Sequence, residues 1–365
     1  MVNLAIIGCG AVVEGLYRGA LRKLERRGTV RVVALVDPNP ERGAALQRHF
    51  RGARVFGTPP EAFAQTAVDL TIVASPPGRH AEHAVEAFEH GSHVLCEKPL
   101  ADSLADGERM VAAARRAQRV LAVGMTRRFF PCVAEARRLV ATGALGTDLR
   151  FVYREGDVYG WPVSTDAAFR RATSGGGVLI DLGSHVLDLL AALFGPPAVT
   201  AYEDDALREG VETNCRVTLA FPGATGVVQV SWSQPLVTGL HVVGTAGELR
   251  LDPGRLDRLS WRRPGGAWEA RVGDTTWPAD LQLPATRRGT PRSYYDCIHY
   301  QLVQVLRAAV HGEPVPVSGE EALHVMRAID DCYRQARPLR LPWLSDWDQV
   351  RAQALHWKVS RCAAA

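Results

Sequence analysis

Val2-Asn3-Leu4-Ala5-Ile6-Ile7-Gly8-Cys9-Gly10-Ala11-Val12-Val13 opens the chain. Leu4–Ile7 is a short apolar run without polar alternation, the pattern of a strand buried on both faces of a parallel sheet. The glycines that end it carry the chemistry. Gly8 permits a tight turn, and Gly10 lets the backbone approach a pyrophosphate resting at the N-terminus of the next helix. Gly8, Gly10, Ala11, Val12 and Val13 are therefore read as cofactor-binding positions. Val13 stands where this fingerprint has Gly or Ala, so looser helix–strand packing or a shifted helix start is expected. An ordinary strand–helix turn can show the same glycines, but this one begins a strand–helix–strand unit at the head of the chain.

The same grammar continues to about residue 125. Apolar runs Val30–Val36, Leu70–Ala74, His93–Cys96 and Val120–Val123 alternate with helical stretches 12–27, 79–90 and 103–118. Ser103 is a capping residue before the last of these, with Asp106 three positions on. Such alternation predicts a doubly wound parallel α/β domain. The second strand ends in Asp37, whose carboxylate suits an adenosine ribose and repels a 2′-phosphate, favouring NAD. A turn-forming Asp before Pro38 would look the same, and nearby Arg42 leaves NADP open. Ser75, Pro76 and His80, past the third run, join the cofactor set, as do Glu97 and Lys98. His80 and His83 are read as structural or as packing near the cofactor, not as a metal pair.

Lys98 follows the strand 93–96 and precedes Pro99. Ligands of open α/β sheets bind outside the carboxyl ends of the strands, so Lys98 is placed to hold a substrate oxygen. A surface lysine at a strand end is the plain alternative. From Thr147 the pattern changes to strand after strand (148–156, 199–204, 211–221, 225–234, 239–243, 246–251), predicting an antiparallel or mixed sheet. One helix interrupts it at 177–194, after Gly175-Gly176-Gly177. It is apolar almost all round, yet Asp181, Ser184, His185 and Asp188 recur at spacings of three and four, which predicts one polar face on a wet cleft. Asp181 can orient the His185 imidazole as a general acid/base. A metal site, with no third ligand evident, and a satisfied core pair are the competing readings. Segment 276–293 is read as a loop or lid, and helices return at 294–311 and 319–336.

The totals agree with an enzyme of two domains. The chain has 365 residues, 47% hydrophobic and 22% charged, with a formal net charge of +4 and no basic stripe, which argues against nucleic acid. Its seven irregularly spaced cysteines contain no C-x-x-C pair, pointing to a reducing compartment and away from zinc. With neither a leader nor a membrane-length apolar run evident, a cytoplasmic protein away from membranes is expected.

Gly8-x-Gly10, Glu97-Lys98-Pro99, and Gly175-Gly176-Gly177 with Asp181-x-x-x-His185 together resemble the glucose–fructose oxidoreductase / inositol dehydrogenase / rhizopine-catabolism (Gfo/Idh/MocA) family, from residue 1 to about 335. Arg127-Arg128-Phe129-Phe130-Pro131 is similar to the family's linking segment, where an arginine often lies near substrate and Tyr often replaces Phe129. The resemblance implies a Rossmann domain (1–125), an α/β domain with a large, mostly antiparallel open sheet (126–337), and a tail (338–365) packed on the body or on a partner subunit. It implies homodimers or homotetramers through that sheet, and a catalytic set of Lys98, Asp181 and His185. It also implies hydride transfer between a nicotinamide and a ring hydroxyl carbon of a polyol, cyclitol or sugar. A 3-ketoreductase or 3-dehydrogenase of a nucleotide sugar or aminoglycoside, an NAD-assisted glycoside hydrolase, and a non-catalytic sensor are the alternatives, the last disfavoured by Lys98. Asp157, Tyr159, Trp161 and Arg170, before the polar helix, are candidate substrate contacts with Arg127. No metal is expected.

Overall fold

The computed structural model describes residues 1–160, 166–207, 210–273 and 293–340, with residues 345, 347, 350, 351 and 354 of the tail. It divides into two compact units, Met1–Phe130 with Thr275–Met326, and Pro131–Asp274 with Arg327–Ala365.

In the first unit, strands β1 (Val2–Ile7), β2 (Val30–Val36), β3 (Arg54–Phe56), β4 (Leu70–Val73), β5 (His93–Cys96) and β6 (Leu121–Val123) form one sheet in the order β3-β2-β1-β4-β5-β6. Every pairing is parallel. Helices α1 (Arg18–Arg26), α2 (Pro40–Gln47), α3 (Pro59–Gln65), α4 (His80–Glu89) and α5 (Leu104–Ala117) make the connections. Side chains of Asn39 and Ser103 cap α2 and α5 by accepting from the backbone of Glu41 and Asp106. The strand order reverses beside β1, so the carboxyl ends of β1 and β4 flank a crevice there. Short β3, α2 and α3 carry too little pattern to be read from sequence.

In the second unit, α6 (Pro131–Ala141), β7 (Leu149–Gly156), α7 (Arg171–Ser174) and α8 (Ser184–Phe194) precede strands β8 (Ala198–Asp204), β9 (Asn214–Phe221), β10 (Ala224–Ser231), β11 (Leu236–Val243), β12 (Glu248–Leu251), β13 (Arg258–Arg262) and β14 (Glu269–Val272). Helix α9 (Tyr294–His311) belongs to the first unit, α10 (Gly319–Arg334) runs from the first unit into the second, and β15 (Arg337–Pro338) closes the series. The nine-stranded sheet runs β14-β13-β12-β11-β7-β10-β9-β8-β15. It is antiparallel except for β7 with β10 and β8 with β15. Burial alternates along β7 and β9, so one face is dry and the other meets solvent. Phe151 and Phe221 of the dry face meet Phe194 of α8 at ring centroid distances of 5.7 and 5.6 Å. Only four or five residues long and interspersed with Arg and Glu, β13 and β14 escape a search for apolar runs. The long apolar helix Arg171–Phe194 has the length to cross a membrane, but 78% of its most apolar stretch is buried within the fold.

Sequence order places 294–311 in the second domain. The structure instead packs α9 into the core of the first unit, where Ile298, Leu302, Val305 and Leu306 join Leu4, Ile6 and Leu21. The apolar face of α9 covers sheet surface that α1 leaves open, a long-range fit that local pattern does not encode. In the tail Trp347 is 69% exposed, while Trp343 and Trp357 lie outside the described residues. Leu302 is wholly buried, so Leu302→Ala should lower unfolding free energy by about 3 kcal/mol, read by urea denaturation. A change near zero would detach α9 from that core.

Candidate active site

The glycine turn is built as the fingerprint requires. Gly8 has φ +93°, and a Cβ there would meet the Ala74 carbonyl oxygen at 2.5 Å. A Cβ on Gly10 would meet nothing within 4 Å, so the backbone there is open to a ligand. Asp37 is 5% exposed and ties the turn after β1 to the end of β2. It accepts from Cys9 N–H and Asn39 N–H, each at 2.9 Å. Val13 does not loosen the packing: it is fully buried in the main core. The helix start is altered instead, since Val13–Tyr17 forms a π-helical turn before α1.

Past β4, Ser75 Oγ lies 2.9 Å from His83 Nδ1, and Pro76 leads into a 3₁₀ turn. His80 is buried, with Nε2 2.8 Å from the Ser75 carbonyl and Nδ1 2.9 Å from that of Pro99. It pins the loop after β4 to the loop that carries Lys98. Burial lowers its pKa, opposed by those two carbonyls.

Glu97 is turned inward as an anchor. Its Oε1 accepts from the buried Tyr17 hydroxyl at 2.5 Å, and its Oε2 accepts from Lys98 N–H at 3.1 Å. Gln301 of α9 donates to the Tyr17 hydroxyl at 3.2 Å and accepts from Thr126 Oγ1 at 3.0 Å. Desolvation raises the Glu97 pKa, with the Tyr17 hydrogen bond and Lys98 acting against it. Arg127 is half-buried in the 3₁₀ turn Thr126–Phe129. Its neighbour Arg128 pairs with Glu321 at 2.7 Å, and Phe129 packs edge-on to Tyr300 at 5.7 Å.

The polar helix of the second unit is not a uniform α-helix. Leu179–Gly183 is a π-helical turn, and α8 begins at Ser184. The polar stripe predicted from α-helical spacing divides by burial. Asp181 and His185 are half-buried, whereas Ser184 and Asp188 are fully buried, with Ser184 Oγ donating to the Asp181 carbonyl at 2.9 Å.

Asp181 borders a cavity of about 350 Å³ shared with Glu155, Asp157, Tyr159, Ser231 and Trp232. Tyr159 stands edge-on to Trp232 at 4.9 Å and to Phe169 at 5.2 Å. Burial, then the Asp181 charge, raises the Tyr159 pKa. Of the substrate residues expected from sequence, Asp157 and Tyr159 meet Asp181 here. Arg170 lies outside the lining, paired with Asp166 at 2.5 Å. Trp161 and positions 276–292 lie outside the described residues. Sequence reading missed Glu155, Ser231 and Trp232; their signal was a position at the ends of β7 and β10, which pair in parallel register and so finish together. Among the described residues no group of three or more His, Cys, Asp or Glu side chains converges to hold a metal ion.

Residues 2–125 match the model of an oxidoreductase family with an NAD-binding Rossmann fold, and residues 133–250 match the GFO/IDH/MocA C-terminal domain. D-glucoside 3-dehydrogenase of Escherichia coli is 32% identical over 219 residues, which are 59% of this chain and 60% of that protein. A scyllo-inositol 2-dehydrogenase (NADP(+)) of Bacillus subtilis is 27% identical over 69% of this chain and 76% of its own. The crystal structure of aldose-aldose oxidoreductase from Caulobacter crescentus, complexed with glycerol, superposes with a TM-score of 0.77 at 26% identity, covering 92% of this chain and 97% of that one. The glycine turn, the Lys98 loop and the Asp181 helix thus stand within two matched domains, and the chain belongs to the Gfo/Idh/MocA family of NAD-binding oxidoreductases.

Proposed function

We propose that this oxidoreductase interconverts a ring hydroxyl and a ketone on a polyol, cyclitol or sugar. The observation that carries the proposal is the cavity that sets the Asp181 carboxylate beside Asp157, Tyr159 and Trp232. Carboxylates suit the hydroxyls of such a ring, and an aromatic wall suits its C–H face.

The bound nicotinamide supplies the hydride acceptor in one direction and the donor in the other. Lys98, Asp181 and His185 are the proposed catalytic set. His185 takes the hydroxyl proton during oxidation and returns it during reduction. Lys98 holds the substrate oxygen and steadies the charge that develops on it, while Asp181 orients substrate and imidazole. Gly8, Gly10, Ala11, Val12, Val13, Ser75 and Pro76 shape the dinucleotide crevice, and the open backbone at Gly10 fits a pyrophosphate. His80 and Glu97 act one step away, by holding the Lys98 loop. Asp37 favours NAD through the ribose. The first unit is the cofactor domain and the second the substrate domain. Exposed Val152 and Val243, on the wet face of the nine-stranded sheet, support assembly of copies through that face. Six buried free thiols among the described residues support a reducing, cytoplasmic setting.

The test of the reaction is nicotinamide absorbance with cyclitols, hexoses, aminoglycosides and nucleotide sugars, each with NAD and with NADP. Turnover of a single-ring polyol is expected; turnover of nucleotide sugars alone would displace this reading. Lys98→Ala keeps the backbone N–H that binds Glu97, so NAD affinity should stay nearly unchanged while kcat drops about a hundredfold or more. Wild-type turnover in that variant would remove Lys98 from the mechanism. Asp37→Ala should weaken both cofactors, because the turn loses its tie, but NAD more than NADP. Titration calorimetry reads the ratio, and an unchanged ratio would rule out the ribose contact.

A further inference from the structure

We propose that Glu212 is the positioning residue of the second unit, holding the start of the polar helix so that Asp181 and His185 are presented to substrate. This rests on the catalytic roles proposed for that pair. Glu212 lies in the loop before β9, more than thirty positions after the helix start it holds. Three consecutive amides at the helix start end on it. Its Oε1 accepts from Gly177 N–H and Leu179 N–H, both at 3.0 Å, and its backbone carbonyl accepts from Val178 N–H at 2.9 Å. These are the amides that a helix N-terminus otherwise leaves without partners. Asp181 N–H in turn donates to the Gly177 carbonyl at 3.1 Å, so the clamp and the π turn share a residue.

The clamp is anchored from α10. The Tyr333 hydroxyl donates to the same Oε1 at 2.9 Å, and the Arg171 guanidinium covers the Tyr333 ring at 4.3 Å. The glycines before the helix are a consequence of this packing. A Cβ on Gly176 would lie 1.9 Å from the Tyr333 hydroxyl, and one on Gly177 would lie 2.0 Å from the Glu212 carbonyl oxygen. Both glycines are therefore demanded by close approach.

Glu212 is wholly buried, and its Oε2 has no hydrogen-bond partner among the described residues. One oxygen therefore carries three donors and the other none. Burial pushes the Glu212 pKa up, against its backbone hydrogen bonds and Tyr333. A glutamine reproduces that acceptor, which separates positioning from charge.

The experiment compares Glu212→Ala and Glu212→Gln in the full-length protein by amide hydrogen exchange across 176–185 and by kcat and KM with the best polyol. Glu212→Ala should speed exchange there and lower kcat about tenfold, with NAD affinity kept, as misplacement of reacting groups does. Glu212→Gln should restore both to within about threefold, since its amide oxygen accepts the same bonds. Unchanged exchange in a folded Glu212→Ala protein overturns the clamp. Faster exchange at full kcat overturns positioning, as does failure of Gln to restore kcat. If Glu212→Ala does not fold, Tyr333→Phe removes one donor and should give a smaller change of the same sign in both readouts; no change in either overturns the proposal. If the wild type turns over no polyol or sugar, the catalytic reading has failed by itself, and exchange in Glu212→Ala still decides the clamp.

Discussion

The hydrogen bond from the Tyr17 hydroxyl to the Glu97 carboxylate is the contact on which the reaction end of the first unit depends. The Tyr17 hydroxyl sits where water is excluded, and an unpaired polar group there costs roughly 1–3 kcal/mol. Neither partner can relax alone. Tyr17 belongs to the π turn just past the glycine fingerprint, and Glu97 immediately precedes Lys98. One bond thus couples the turn proposed to receive a pyrophosphate to the loop that carries the proposed oxygen-binding lysine. Gln301 and Thr126 extend the chain of bonds to α9 and to the turn bearing Arg127. Such a network holds its members only while all are satisfied, which is why a helix from far along the chain has to return to this core.

The second unit meets the same requirement differently. There the polar groups are helix amides, and the partner is a carboxyl side chain and a carbonyl of one residue. Glycine makes the approach close enough, and a π turn takes up the resulting register. Both units place a π-helical turn beside residues proposed to act, at Val13–Tyr17 and at Leu179–Gly183. A π turn carries weaker backbone geometry than an α turn and persists only where packing demands it. Here the demand is visible in each case, as buried Val13 and Tyr17 in one and as the Glu212 clamp in the other.

Features that depend on neighbours in sequence were legible, and those that depend on contacts across it were not. Strands such as Val30–Val36 and His93–Cys96 announce themselves by continuous apolar character, and Ser103 by its place before a helix. The Asp181 helix is legible in the sequence, but not which of its polar residues face the core: α-helical spacing puts Ser184 and Asp188 beside Asp181, while the fold buries both. Arg170 sits at the right place in sequence for the pocket, yet Asp166, four residues earlier, claims its guanidinium. Trp232 and Glu212 gave no local sign. One is an aromatic residue at a strand end and the other an acid in a loop, and each matters only for what the fold brings to it.

Asp37 shows how far fold and function share atoms in this chain. An ionised carboxylate offers roughly four acceptor positions. Two are committed to Cys9 and Asn39, so the residue closes the glycine turn against the end of β2 whether or not a ligand is bound. In the proposed ribose contact, the remaining capacity would serve the adenosine ribose. Selection against a 2′-phosphate would then come from a charge that also ties the turn. Removing that charge to admit NADP also releases two backbone amides. A switch of cofactor in this chain consequently requires a neutral acceptor at position 37 that keeps those two bonds, together with a cation such as the nearby Arg42 to receive the phosphate.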